Sequence, residues 1–230
     1  MYEFYYKDQI IKYKLIKKNK KNLSIIIKEN EVIVYSPIYL NIDLVQKILY
    51  KKADWIIKKL ELNNYKREKN YENGEFFLYL GQEYTLNIIY GDKTNIKLFN
   101  NYLNLYINKK IKNINKKNII ELWYKNNSLN LFNKKVAYYN NFFKQNINEI
   151  RINDLKSAWG ICYPKKRKIT FNWKLIMAPI EIIDYVIVHE MCHLIHPNHS
   201  NNFWNEVSNY IKDYKIKRKW LKENGNRLFL

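Results

Sequence analysis

Short apolar runs that alternate with polar residues open the chain and predict β-strands. Three such runs precede the turn at Ser36-Pro37, at residues 13–16, 23–27 and 32–35. Apolar residues then recur at helical intervals between residues 41 and 62, which predicts one amphipathic helix that Asn41 or Asp43 could cap. The first quarter of the chain is therefore expected to combine a small sheet with one helix.

A second set of apolar runs, separated by turns at Gly81 and at Gly91-Asp92, predicts further strands. These runs lie at residues 76–80, 84–89, 96–99 and 102–107. The following stretch predicts one long helix from Ile119 to about Phe143.

The last part of the chain alternates again, with strands predicted at residues 149–153 and 168–172 and the segment Ser-Ala-Trp-Gly-Ile-Cys between them. A helix is predicted over residues 179–196, because Pro179 suits a first helical position and Pro197 stops a helix. A second helix follows, with Ser200 as its N-cap. Its apolar positions are Phe203, Val207, Tyr210 and Ile211.

These elements predict an α+β fold. We expect a β-rich N-terminal region with one helix over residues 1–110, and a second domain over residues 111–230 whose helix 179–196 lies beside a small sheet. The chain of 230 residues is 47% hydrophobic, which is typical of a globular protein. It has no apolar stretch of about 20 residues and no secretory signal pattern, so we expect a cytoplasmic protein without a membrane span.

The formal net charge is +20, from 41 basic and 21 acidic residues. A partner rich in phosphate could explain this balance, and association with nucleic acid is one interpretation. We favour a solvated surface, because the lysines are scattered and the abundant residues Lys, Asn, Ile and Tyr share AT-rich codons. The two cysteines, Cys162 and Cys192, argue against a disulfide framework.

All four histidines lie between His189 and His199, in the segment H-E-M-C-H-L-I-H-P-N-H. His189 and His193 are four residues apart, so on a helix both project from one face and can reach one metal ion. Neutral imidazole is a good ligand for Zn²⁺. Glu190, next to His189, is placed to reach a water at the metal rather than the metal itself. The segment predicts a zinc hydrolase.

A catalytic zinc ion usually has three protein ligands, and His196, His199 and Glu206 are candidates for the third. His196 would lie about 10.5 Å along a continuous helix from His189, which is too far for a shared ion, so it could serve only if the helix broke early. The Pro197-Asn198 dipeptide favours a turn that returns His199 to the metal. Glu206 lies on the predicted second helix, where another class of zinc hydrolase takes a carboxylate. We favour His199.

With these motifs in hand, the chain resembles the YgjP-like metallopeptidases, relatives of the SprT and Wss-type proteases. The resemblance extends over nearly the whole length. It is carried by the Ser36-Pro37 end of the early strands, Ala53-Asp-Trp-Ile56, Phe77-Leu-Tyr-Leu-Gly81, Ser157-Ala-Trp-Gly-Ile-Cys162, Phe171-Asn-Trp-Lys-Leu175, Met177-Ala-Pro179, the histidine segment, Phe203-Trp204, Asp213-Tyr-Lys and Arg218-Lys-Trp-Leu221. It implies a zincin-like catalytic domain, zinc on His189, His193 and His199, and Glu190 as the catalytic residue.

The chain departs from the family in one segment, because members tend to read S-R-W-G-S-C where this chain has Ala158 and Ile161. The missing arginine and hydroxyl bear on substrate recognition and leave the metal ligands untouched. We expect Trp159 and Gly160 of this segment to contact substrate. Tyr214 and Arg218, which follow the metal helices, are candidates for substrate or oxyanion binding.

We expect a peptide or protein substrate, hydrolysed by zinc-activated water with Glu190 as general base. One alternative is a metal-dependent phosphohydrolase acting on nucleotides, although the chain lacks carboxylate clusters and a phosphate-binding loop. A nucleic-acid-associated protease is a second hypothesis. A metal-dependent binding module without activity is a third, and an intact Glu190 argues against it. The oligomeric state stays open.

Overall fold

The computed structural model describes residues 1–28, 30–65 and 69–230, with only the backbone for residues 61–65. The chain divides into two compact units, Met1–Glu68 and Lys69–Leu230. In the sequence, the two units meet at residues 68/69, whereas the predicted boundary was at 110/111. The difference arises because the strands between residues 76 and 108 share one apolar core with the C-terminal helices. A strand pattern shows which residues face a core but not which helix will cover it.

The first unit is a four-stranded sheet with two helices. The strands are β1 (Tyr2–Tyr6), β2 (Gln9–Lys18), β3 (Ser24–Lys28) and β4 (Glu31–Pro37), in the order β1-β2-β4-β3. The helices are α1 (Ile42–Lys51) and α2 (Ala53–Tyr65). Strand β1 was not predicted, because in its Y-E-F-Y-Y sequence only Phe4 is buried.

The single helix predicted over residues 41–62 is therefore wrong, since Lys52 leaves helical geometry at φ −107° and ψ 5°. The buried residues Val45, Leu49, Ala53 and Ile56 keep helical spacing across the break. The apolar pattern could not reveal the interruption for that reason. The predicted cap is confirmed at Asn41, whose side chain accepts a hydrogen bond from the Leu44 backbone N–H at 2.9 Å.

The second unit begins with a four-stranded sheet. Its strands are β5 (Phe76–Tyr79), β6 (Gln82–Gly91), β7 (Asn95–Phe99) and β8 (Tyr102–Asn108), in the order β5-β6-β8-β7. The long helix α3 (Lys116–Phe143) follows. Tyr124 of α3 is buried and donates its hydroxyl to the Leu78 carbonyl of β5 at 2.6 Å, which joins this helix to the sheet.

A three-stranded sheet and three helices complete the second unit. The strands are β9 (Glu149–Asn153), β10 (Gly160–Tyr163) and β11 (Lys168–Asn172), in the order β10-β11-β9. The helices are α4 (Ile180–Cys192), α5 (Asn201–Tyr210) and α6 (Tyr214–Asn224), of which α6 was not predicted. This arrangement confirms the α+β class. Among the described helices, none is both long and apolar enough to cross a membrane.

Candidate metal centre

Helix α4 carries the first two histidines, and its C-terminal end differs from the prediction. The helix ends at Cys192, with His193 as its C-cap, whereas the sequence predicted helix to residue 196. The backbone N–H groups of Leu194 and Ile195 bond three residues back, to Met191 and Cys192, so the chain tightens into a turn. Pro197 disfavours helical geometry at the residue before it, which is consistent with an early end. Pro179 is the N-cap of α4 rather than its first helical residue, so the helix begins at Ile180, one residue later than predicted.

The turn brings the third histidine to the first two. The ligand nitrogens of His189, His193 and His199 all lie within 4.8 Å of one another. The Nε2 atoms of His189 and His199 are 3.1 Å apart. Among the described residues these three form the group that could hold a metal ion.

The remaining two candidates for the third ligand lie outside this group. His196 contributes its backbone carbonyl, which accepts a hydrogen bond from His193 Nδ1 at 3.1 Å. That bond places the His193 proton on Nδ1 and leaves Nε2 with a lone pair for a cation. Glu206 interacts instead with the Tyr210 hydroxyl. The pKa of that phenol is raised mainly by burial and, to a lesser extent, by Glu206.

The electrostatics of the site favour neutral imidazoles at His189 and His193. The pKa of His189 is lowered to about 3, mainly by burial and in addition by His193, His199 and Arg218. Burial also lowers the pKa of His193, against the effect of its bond to the His196 carbonyl. The Nε2 atoms of His189 and His199 face each other at 3.1 Å, a spacing at which both lone pairs could bind one cation. Two nitrogens bound tetrahedrally at about 2.0–2.1 Å would be about 3.3 Å apart, so the spacing of the His189–His199 pair fits two ligands of one metal ion.

Glu190 is held in a narrow space between α4 and β10. Its side chain is buried, with 6% of the residue exposed. Burial raises the pKa of this carboxyl to about 7, while a hydrogen bond from the Cys162 backbone acts in the opposite direction. A Cβ atom added at Gly160 would lie 2.5 Å from Glu190 Cγ and 2.8 Å from Oε1. The predicted substrate residue Gly160 therefore lies directly against the Glu190 side chain.

Aromatic rings surround the histidines. The buried ring of Phe203 contacts all three, with centroid distances of 4.9 Å to His189, 4.5 Å to His193 and 4.8 Å to His199. Tyr185, one helical turn before His189, meets that ring edge-on at 5.8 Å. Neither ring was predicted as part of the site, although the four-residue spacing from Tyr185 to His189 places both on one helix face.

Tyr214 and Arg218 contact Trp204 rather than a histidine ring. Tyr214 stacks on the indole at 5.1 Å and 13°, and the Arg218 guanidinium carbon lies 4.8 Å from the indole centroid. Trp204 in turn stacks on His199 at 5.5 Å and 23°. Trp159 packs against the C-terminal turn, where a Cβ added at Gly225 would be 2.9 Å from the Trp159 ring. The structure thus gathers Gly160, Tyr214 and Arg218 near the histidines and Glu190, and seats Trp159 against another segment.

Comparison with known proteins assigns the class of the chain. The family model described as "YgjP-like, metallopeptidase domain" matches residues 21–224. The chain therefore belongs to the YgjP-like metallopeptidase family. One solved structure, the metallopeptidase zymogen abylysin of Pyrococcus abyssi, is 22% identical over 40% of this chain and 93% of its own, with a TM-score of 0.36. No curated protein matches the chain significantly.

Proposed function

We propose that the chain is a zinc-dependent metallopeptidase of zincin-like architecture, with His189, His193 and His199 as metal ligands and Glu190 as general base. The observation that carries this proposal is the convergence of three imidazole nitrogens within 4.8 Å, one residue away from a buried carboxylate. Membership of a metallopeptidase family supports it.

The choice of zinc rests on the donor set. Three neutral imidazoles suit Zn²⁺, whereas Mg²⁺ and Ca²⁺ prefer oxygen ligands. When bound, the zinc ion supplies Lewis-acid chemistry by lowering the pKa of water and polarising a substrate carbonyl. Three protein ligands also leave one position open, which is the arrangement of catalytic rather than structural zinc sites.

Glu190 would move the proton. Its carboxylate accepts the proton of the attacking water and then donates it to the leaving amine of the substrate. The Cys162 backbone N–H and the close approach of Gly160 support this role, because they hold the carboxylate in one place. A nearby divalent cation would oppose the effect of burial on the pKa of Glu190, and it would favour the ionised base.

We propose that Arg218 stabilises the negative charge that develops on the substrate during hydrolysis. Its guanidinium lies over Trp204, and its positive charge contributes to the low pKa of His189, so it acts within range of the metal centre. Tyr214, in the same helix, contacts the same indole as Arg218 and is our second candidate for substrate binding. We propose that a peptide substrate lies along β10, beside Gly160.

We propose a peptide or protein substrate and a cytoplasmic location. The phosphohydrolase hypothesis gains no specific support, because among the described residues the three-histidine group is the metal-binding cluster and no carboxylate cluster accompanies it. Association with nucleic acid remains a prediction from the net charge of +20.

The test is hydrolysis of fluorescently labelled casein by the purified protein, before and after metal removal with a chelator and after addition of Zn²⁺. We expect activity that disappears with the chelator and returns with zinc. Nucleoside triphosphates are assayed in parallel, and His199→Ala serves as the metal-site variant. Metal-dependent release of phosphate without cleavage of casein would refute the peptidase proposal, and activity that persists in metal-free protein would refute the metal centre.

A further inference from the structure

His199 is the least supported of the three histidines. His189 lies within α4 and His193 caps it, so a buried helix orients both side chains. His199 is exposed and lies in the short loop before α5. Its Nε2 lies 3.1 Å from His189 Nε2, a single contact about which the ring can still tilt. Phe203 meets the imidazole of His199 edge-on at 4.8 Å, so a stacking contact on its face is what would complete the definition of the ring plane before a metal ion binds.

The geometry points to Trp204 as the positioning residue for His199, with α6 holding Trp204 through Tyr214 and Arg218. This inference rests on the proposed metal centre and adds a residue to it. The indole and imidazole planes are within 23° of parallel, with centroids 5.5 Å apart. Stacking restricts the tilt of an imidazole, so the indole plane determines the direction in which His199 Nε2 points.

The start of α5 fixes the distance between the two residues. Ser200, which directly follows His199, caps the helix by accepting a hydrogen bond from the Phe203 backbone N–H at 3.4 Å. The Trp204 backbone N–H bonds to the Ser200 carbonyl at 3.1 Å, which is the first hydrogen bond of the helix. Trp204 is thus tied by its backbone to the neighbour of His199 and by its side chain to His199 itself.

Helix α6 holds the indole from the opposite direction in the chain. Tyr214 and Arg218 are four residues apart, so both project from one face of α6. Tyr214 stacks within 13° of parallel to the indole, and the Arg218 guanidinium lies 4.8 Å from its centroid. An indole with contacts of this extent has few accessible rotamers. The third ligand therefore depends on a helix that begins fifteen residues later.

The experiment measures zinc affinity by competition with a chromophoric chelator, starting from metal-free protein. We expect Trp204→Leu to weaken affinity about tenfold, which is the upper size of one lost aromatic pair, and Tyr214→Leu to weaken it about threefold. Trp204→Phe keeps a ring and should stay within about threefold of the parent protein. The visible spectrum of bound Co²⁺ provides a second readout, since a displaced His199 changes the ligand geometry.

Trp220→Leu is the matched control, because it also replaces an indole with leucine. Trp220 lies in α6 and lines a separate cleft with Leu78 and Pro179. Thermal unfolding of the metal-free variants separates stability from ligand geometry. Unchanged affinity and an unchanged Co²⁺ spectrum in Trp204→Leu would overturn the inference, as would an equal loss in Trp220→Leu. If instead the parent protein binds no zinc, or His199→Ala binds it as tightly as the parent, the proposed metal centre itself is wrong.

Discussion

Gly160→Ala tests whether the position of Glu190 controls the reaction. The added Cβ would lie 2.5 Å from Glu190 Cγ, whereas an ordinary contact begins at 3.4 Å, so the acid side chain must move by about 0.9 Å. A displacement of about 1 Å at a reacting group can cost about 10²-fold in rate. We therefore expect kcat to fall about 10²-fold, with zinc content unchanged because no histidine is touched.

Overpacking of this kind also costs about 1–3 kcal/mol of the free energy of unfolding, which thermal denaturation will report. The control is Gly91→Ala, because a Cβ added there meets no atom within 4 Å. Peptidase assays, metal analysis and circular dichroism of both variants distinguish the outcomes. Parent-level kcat in a folded, zinc-loaded Gly160→Ala variant would show that the reaction does not depend on this contact. Zinc loss in the same variant would show that the strand supports the ligands rather than the base.

Three further predictions concern the ligands, the base and the charge. His199→Ala should lose most of its zinc, whereas His196→Ala should keep it, because His196 contributes only its backbone carbonyl to His193; equal losses by metal analysis would contradict this assignment. Glu190→Gln should bind zinc and unfold like the parent protein but hydrolyse casein about 10²–10⁴-fold more slowly, and an unchanged rate would exclude Glu190 as the base. If the charge of +20 reflects only a solvated surface, binding to random duplex DNA should disappear by physiological salt. Tight binding at about 150 mM salt, measured by fluorescence anisotropy, would instead support a nucleic-acid partner.

Sequence reasoning recovered the parts of the molecule that depend on local pattern. Strands β9 and β11 have the predicted bounds, Glu149–Asn153 and Lys168–Asn172, because their alternation extends over the whole element. The cap at Ser200 was predicted from the residue type and is confirmed. The pair His189 and His193 depends only on helical spacing, so the convergence of their side chains could be expected without knowledge of the fold.

Features that depend on packing between distant segments were not predictable in this way. The contact between Gly160 and Glu190 joins β10 to α4 across thirty residues, and no periodicity in either segment indicates it. The end of α4 at Cys192 was placed four residues too late, because the sequence shows where Pro197 forbids a helix but not where the helix stops before it. Helix α6 was missed since none of its residues is fully buried, and only Tyr214, Trp220 and Leu221 pack part-buried against the core.

The three histidines differ in what holds them, and this difference explains why the H-E-x-x-H motif is not enough to define the centre. Buried residues surround His189 in α4, so the direction of its side chain follows from the fold of the core. His193 is set by the turn after α4, through its bond to the His196 carbonyl. His199 lies in the loop before α5 and stacks on Trp204, which contacts Tyr214 and Arg218. The proposed metal centre therefore draws on the chain from α4 to α6, and a fragment that retained only residues 180–200 would keep the motif without the contacts that we propose orient its third ligand.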